Sequence, residues 1–268
     1  MSWTGGSFGE RGRCVLAPNA NYMTLDGTNT WVLKEPGAAR SVVVDPGPSD
    51  RLHLDAVAAE AGEVAVVLLT HHHPDHAEAA KEFAERMSCG VRALDPEYRL
   101  GSEGLGDGDV VEVDGLEIRV VGTPGHTADS LSFLVPAEGA VLTGDTVLGR
   151  GTTVVAHPDG ELGAYLSSLD RLHALAEANE LSAIWPGHGP VISDALAVLD
   201  YYRTHRQERL QQVEEALAQL KDAPHPEGIA ADELPRRVVE IVYTDVDPVL
   251  WGAAELSVRA QLDYLASR

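Results

Sequence analysis

LLTHHHPDHAEAA, residues 68–80, closes an aliphatic run with four histidines and an aspartate in six positions. The preceding residues, VAVVLL (64–69), read as a buried strand. On an extended segment alternate side chains share a face, so His71 and His73 point one way and His72 the other. Pro74 turns the chain into a helix, and Asp75 and His76 on that turn can address a second point close to the first. One loop thus supplies two adjacent half-sites of imidazole and carboxylate, the donors that borderline cations such as zinc accept. A polar loop with chance histidines is the competing reading; a structural zinc site would more often be closed and built on cysteine.

Three further segments end an apolar run in a short polar tip: VVGTPGHTADS with His126, AVLTGDTVLG with Asp145 and AIWPGHGP with His188. Each of these residues adjoins a glycine, which lets backbone come close to a metal or a substrate. Singly, each is an ordinary turn histidine or strand-end aspartate. Together with the first loop they form a set of seven ligand-type side chains.

The rest of the chain gives these tips a scaffold. From about 28 to 145, TNTWVL, SVVVDPG, AVVLLT, DVVEVDG, LEIRVVGTPGH, SLSFLVP and AVLTGD are short strand-like runs punctuated by Gly, Pro and Asp. Helical spacing falls at 49–61, with Ser49-Asp50 suited to capping, at 76–88 and at 161–178, before a strand LSAIW. Strands mixed with crossover helices predict an α+β chain of two sheets sandwiched between helices. After 190 the pattern turns helical, at 193–221, near 230–243 and at 247–266, so residues 1–192 are expected to form a catalytic domain and 193–268 a helical cap.

Composition narrows the function. The 268 residues, 44% hydrophobic, suit one sizeable core, and a formal charge of −22 disfavours nucleic acid and anionic membranes as partners. Cys14 and Cys89 read as buried thiols rather than a disulfide framework. With no membrane-length apolar run and no secretion leader at MSWTGGSFGERGRC, the expectation is a cytoplasmic protein; a homo-oligomer is compatible with this reading.

The four motifs THxHxDH, PGHT, GD and PGHG, spread over roughly 20–190, resemble the metallo-β-lactamase superfamily. The resemblance implies the αββα sandwich. It implies that His71, His73 and His126 hold a first metal, that Asp75, His76 and His188 hold a second, and that Asp145 bridges them. Two Zn2+ per chain are expected, with manganese or iron as alternatives. Such ions, about 3.5–4 Å apart, bridge a water and turn it into hydroxide near neutral pH. That hydroxide would attack an acyl carbonyl or a phosphorus, with Asp75 as the catalytic residue that aims it. No cysteine lies near any ligand and Asp145 is present, unlike the best-known secreted zinc β-lactamases; a glutamate, usual in flavodiiron proteins, is absent where His73 stands. The set looks like hydroxyacylglutathione hydrolases (glyoxalase II) and their relatives.

DGTNTWVL, TVLG after Asp145, and the helix bearing YYRTHRQERLQQV resemble the beta-lactamase-like protein 2 family, which implies a winged-helix-like extension. Some animal members of that family cleave single-stranded RNA, and fungal relatives release polyketides from carrier-protein thioesters. No wing hairpin is visible before the final YLASR, so a partial winged-helix-like, helical subdomain is expected. Arg203, Arg206 and Arg209 lie near one face of the long helix, either as a clamp for a substrate anion or as a solvated face pairing with acids such as Asp200. Arg206, Arg209 and His157 are the candidate substrate-binding residues. Tyr201 and Tyr202 are expected to pack between domains, and His72 to serve structurally. His53, His173 and His225 read as surface or helix histidines. Asn29, Thr123 and Thr127 are candidates to support the ligand imidazoles.

The best-fitting function is a dinuclear zinc hydrolase of a small-molecule or carrier-bound ester, thioester or related acyl substrate. A metal-dependent endoribonuclease on single-stranded RNA is the second reading, weakened by 5% aromatic content and the negative charge. A catalytically silent, metal-stabilised scaffold whose tail binds a protein partner is the third, and the intact ligand set argues against it.

Overall fold

A computed structural model describes residues 2–221, 230 and 232–268. Its first sheet runs β1 (Gly6–Phe8), β2 (Gly12–Leu16), β3 (Asn29–Leu33), β4 (Arg40–Val44), β5 (Glu63–Leu68) and β6 (Gly90–Arg92) in spatial order. The first four strands are antiparallel neighbours, and β4, β5 and β6 pair in parallel through α1 (Arg51–Ala61) and the pair α2 (Pro74–Ala77) and α3 (Ala80–Met87). The second sheet has the order β11 (Ala183–Pro186), β10 (Ala140–Gly144), β9 (Leu131–Val135), β8 (Leu116–Gly122) and β7 (Val110–Val113). Only β10 and β11 are parallel in it, joined by α4 (Leu162–Ala178).

Period-two side-chain alternation decides which face each residue serves. In β3, Trp31 and Leu33 enter the core between the sheets while Val32 faces α1 and α3; in β4, Val42 and Val44 go inward and Val43 outward. The second sheet repeats the pattern: Phe133 and Leu142 face the first sheet, and Leu134 and Val141 face α4 and the next helix. Every residue of β3, β9 and β10 is buried, because helices cover the outer faces. At the centre, the Trp31 and Trp185 rings stack across the two sheets with centroids 4.9 Å apart and planes 11° from parallel. The expected αββα sandwich is present.

Beyond it lie α5 (Ala195–Lys221), α6 (Leu234–Val242) and α7 (Trp251–Ala266). With its 27 residues, α5 serves two cores. Ala195, Leu199 and Tyr202 pack with Tyr165 and Leu169 of α4, whereas Val213 and Ala216 join Val238, Val239, Ala254 and Val258 in a core shared by α5, α6 and α7. The C-terminal region carries no strand among the described residues, and no described helix is long and apolar enough to cross a membrane.

Several expectations are corrected. The sheet begins well before residue 28, because β1 and β2 form a hairpin whose strands of three and five residues are too short to show a period; the three-residue β6 was missed for the same reason. The helix expected at 76–88 is two pieces, since the Ala79 amide turns to the Gly47 carbonyl at 3.3 Å. Cys14 is buried as expected, but Cys89 is half-buried. His53, read as a surface or helix histidine, stands on α1 but is buried, with Nε2 2.9 Å from the Thr30 hydroxyl. His225 lies outside the described residues.

Candidate metal centre

The C-terminal ends of β5, β8, β10 and β11 meet at one rim of the sandwich. Past β5 come His71 and His73, with Asp75 and His76 on α2; past β8 comes His126, past β10 Asp145, and past β11 His188. Backbone bonds lock these tips together: the Leu131 amide donates to the Thr70 carbonyl at 2.8 Å, and the Asn29 amide to the Gly187 carbonyl at 2.8 Å. Gly187 is required by crowding, since a Cβ there would lie 2.5 Å from Asp145 Oδ1 and 2.9 Å from His76 Cε1.

The side chains converge in two groups, His71, His73, His126 and Asp145, and then Asp75, His76 and His188, with the candidate donor atoms of each within 4.8 Å of one another. In the first, His73 Nδ1 is 3.0 Å from both His71 Nε2 and His126 Nε2. In the second, His188 Nε2 is 3.3 Å from His76 Nε2 and 3.1 Å from Asp75 Oδ2. Asp145 joins them: Oδ2 is 3.7 Å from His126 Nε2 and 3.3 Å from His188 Nε2, and Oδ1 is 3.4 Å from His76 Nε2.

Hydrogen bonds on the far side of four of the five rings set their tautomers. His76 Nδ1 donates to Asp45 Oδ2 at 2.8 Å, His126 Nδ1 to the Val154 carbonyl at 2.8 Å and His188 Nδ1 to the Gly27 carbonyl at 3.1 Å. The Thr70 hydroxyl donates to Asp45 Oδ2 at 2.6 Å and therefore accepts from His71 Nδ1 at 3.0 Å. In their neutral forms these four rings therefore turn an Nε2 lone pair to the cluster, as metal-bound imidazoles require. Asp145 Oδ1 is buried there with no hydrogen-bond donor among the described residues. Lone pairs of this kind, with an orphaned carboxylate oxygen among them, repel one another unless a cation lies between. Each group fits one metal ion.

The electrostatics agree. Burial lowers His71 and His126 and, with the neighbouring His126, takes His73 down to about 4, so these three rings are neutral donors. Burial would raise Asp145 and Asp75, but nearby imidazoles outweigh it and hold both carboxylates below the usual range. Burial likewise opposes charge on His76 and His188. Asp75 and Asp145 overcome it at His76 and Asp145 at His188, raising both, His188 to about 9. The carboxylates thus demand positive charge where those Nε2 atoms meet.

The supporting residues differ from those expected. Asn29 is buried but bonds Trp3 Nε1 and the Pro186 and Gly189 carbonyls; Thr123 bonds Ser132, and Thr127 bonds Asp129. None hydrogen-bonds a candidate ligand side chain: Asn29 ties β3 to the tip after β11, Thr123 bonds across to the neighbouring strand, and Thr127 closes its own turn. The roles fall instead to Asp45, Thr70 and Thr28, whose hydroxyl donates to Asp75 Oδ2 at 3.2 Å. Sequence reasoning passed over Asp45, although it closes the strand run SVVVD just as Asp145 closes AVLTGD. His72 faces away and pairs with Asp129 at 2.8 Å, a structural contact as expected.

A cavity of about 410 Å³ opens beside the cluster, with His126, Asp145, Arg206 and Arg209 in its wall. His157, expected at the substrate cleft, is not part of that wall: Nδ1 pairs with Asp263 at 3.0 Å and ties the loop to α7. The arginine trio separates. Arg203 bonds Asp170 at 2.8 Å on the solvated face, Arg209 donates to the Val242 carbonyl at 2.7 Å, and Arg206 is buried against Thr153. Tyr202 is buried, its hydroxyl accepting from the Leu148 amide at 2.9 Å, whereas Tyr201 is exposed rather than packed between domains, its ring edge-on to Tyr202. His173 is half-buried beside Asp200 at 3.1 Å.

A family model described as the metallo-beta-lactamase superfamily matches residues 23–188. The Beta-lactamase-like protein 2 homolog of Drosophila melanogaster is 30% identical over 94% of this chain and 86% of its own. The lactamase-like protein aptB of Emericella nidulans is 36% identical over 90% and 80%, and the atrochrysone carboxyl ACP thioesterase of Aspergillus chevalieri 32% over 87% and 74%. Among solved structures, a metallo-beta-lactamase family protein from Thermus thermophilus superposes with a TM-score of 0.75 at 25% identity, covering 96% of this chain and 93% of the other.

Proposed function

This chain belongs to the metallo-beta-lactamase superfamily and is a metal-dependent hydrolase, and from that premise we propose that it cleaves acyl thioesters or esters with two zinc ions shared through Asp145. The observation that carries this reading is the pair of donor groups joined by one buried carboxylate and opening on a largely apolar cavity. The similarity to the atrochrysone carboxyl ACP thioesterase of Aspergillus chevalieri supports the substrate class.

His71, His73 and His126 would hold one ion, Asp75, His76 and His188 the other, with Asp145 between them. When bound, such ions polarise the scissile carbonyl and acidify water near neutral pH. The chain's own residues do the rest. Asp75, kept ionised by its imidazole neighbours and held through Oδ2 by the Thr28 hydroxyl, is an acceptor only, and it orients the attacking water. Oxygen adds to the acyl carbon, the C–S or C–O bond breaks, and acid and thiol or alcohol leave. Residues 193–268 are read as the cap that completes the cavity, through Arg206 and Arg209 of α5 and Leu250 and Ala254 beyond it.

The test is a substrate panel: acyl thioesters, acyl esters, a generic phosphodiester, single-stranded RNA and a chromogenic cephalosporin. Thioester or ester cleavage is expected, removed by chelators and reduced roughly 10²–10⁴-fold by Asp75→Asn. Cleavage of RNA alone would replace the proposal with the nuclease reading, and inertness with metals bound would favour a scaffold.

A further inference from the structure

The cavity that reaches the donor cluster has a second polar feature. At about 410 Å³ it falls within the range of ~300–1,000 Å³ typical of small-molecule sites. Met23, Leu25, Leu148, Val154, Val246 and Leu250 make much of its wall apolar. Arg206 also forms part of that wall and is only 5% exposed. Its Nη2 donates to the Thr153 carbonyl and its guanidinium lies 4.8 Å from the Tyr165 ring centroid. Its Nε–H, however, is buried with no acceptor, and among the described residues no carboxylate comes within 4.0 Å. Buried arginines are ordinarily paired with an anion. Here the described residues supply none.

The remaining charges of the wall indicate what the partner must be. Arg150 is paired with Asp26. Burial, reinforced by Arg206 and Arg209, takes His205 down to about 4, so at neutral pH it adds no charge. Asp145 belongs to the donor cluster. Arg206 and Arg209 set against Asp245 therefore leave a single net positive charge, which matches a carboxylate rather than a dianionic phosphate. A guanidinium fork also suits a carboxylate geometrically. The two polar ends are close together: Arg206 bonds the Thr153 carbonyl, and the Thr153 hydroxyl donates to the Asp145 carbonyl at 2.5 Å.

We propose that the cavity holds the acyl part of the substrate and that Arg206 binds a carboxylate at its far end, so that thioesters or esters of short dicarboxylic acids are preferred over those of plain fatty acids. This assignment rests on the acyl-hydrolase reading above. If Arg206 only pins α5 to the loop at 150–154, a ligand's terminal charge is immaterial.

Titration calorimetry of the metal-loaded protein separates the two, with glutarate and glutaramate as probes. These differ only in that glutaramate carries a neutral amide at one end. Glutarate should bind at least about tenfold tighter, the effect of one charged hydrogen-bonded contact. Arg206→Met should erase that preference while leaving glutaramate affinity within about twofold. Equal affinities in the wild-type protein would overturn the assignment without need of a variant, and so would a preference that survives in Arg206→Met. The measurement reads binding and not turnover. Arg206-dependent glutarate preference without thioester cleavage would discard the hydrolase reading and keep the carboxylate site; cleavage without preference would do the reverse.

Discussion

Asp45 is the residue on which both donor groups lean. It is buried at a φ of 50°, the left-handed region, and one carboxylate oxygen receives both His76 Nδ1–H and the Thr70 hydroxyl that in turn carries His71. Asp45→Asn keeps the shape but offers an amide where two donors converge, so metal affinity should fall about 10–100-fold, read by competition with a chromogenic chelator. Unchanged affinity would show that the rings hold themselves. His53 gives a second test. Burial lowers its pKa in the native state, so the unfolded chain takes up a proton the native state refuses. Its contribution is therefore present above the unfolded value, ~6.5, and is lost as pH falls below it. The urea midpoint should drop more from pH 7.5 to 5.5 in the wild-type protein than in His53→Asn. At this scale the seven candidate ligands were legible because each stands at the tip of an apolar run beside a turn signal. Asp45 and His53 were not, because their partners Thr70 and Thr30 meet them only through strand pairing.

The strands show the same division. TNTWVL, SVVVD, SLSFLVP and AVLTGD were readable because two covered faces demand continuous Val, Ile and Leu, and length separates such runs from helices. The hairpin of β1 and β2 was not: GSF and GRCVL are only three and five residues long, and β1 pairing with β2, and β2 with β3, makes them strands. The break between α2 and α3 likewise comes from an amide that bonds Gly47 rather than its own helix. The contact between β3 and β11 is where sheet packing is most exposed to test. Trp31 is buried, its ring stacked on Trp185 and its Nε1 donating to the Pro186 carbonyl at 3.2 Å, two residues before His188. Trp31→Ala should cost about 3–5 kcal/mol in denaturant unfolding. A loss under ~1 kcal/mol would mean that the sheets close over the gap, which large-to-small changes in a dense core rarely permit.

Over the whole molecule, an acidic chain of net charge −22 concentrates its cation-seeking groups at one rim, and a few bonds away lies a buried arginine with no carboxylate partner among the described residues. The long α5 makes this geometry one unit, since the same helix packs on α4, builds the C-terminal core and carries Arg206 into the cavity. That α5 would be long and helical was plain from its spacing. Which of its arginines would be buried was not, because Arg203, Arg206 and Arg209 share a periodicity and differ only in what packs over them. The central claim is that the two donor groups act on a pair of ions. Anomalous diffraction at the zinc edge from crystals of the zinc-loaded protein tests it most directly. Two peaks about 3.5–4 Å apart are expected, one against His71, His73 and His126 and one against Asp75, His76 and His188, with Asp145 between them. A single peak, or two too far apart for Asp145 to span, would contradict it.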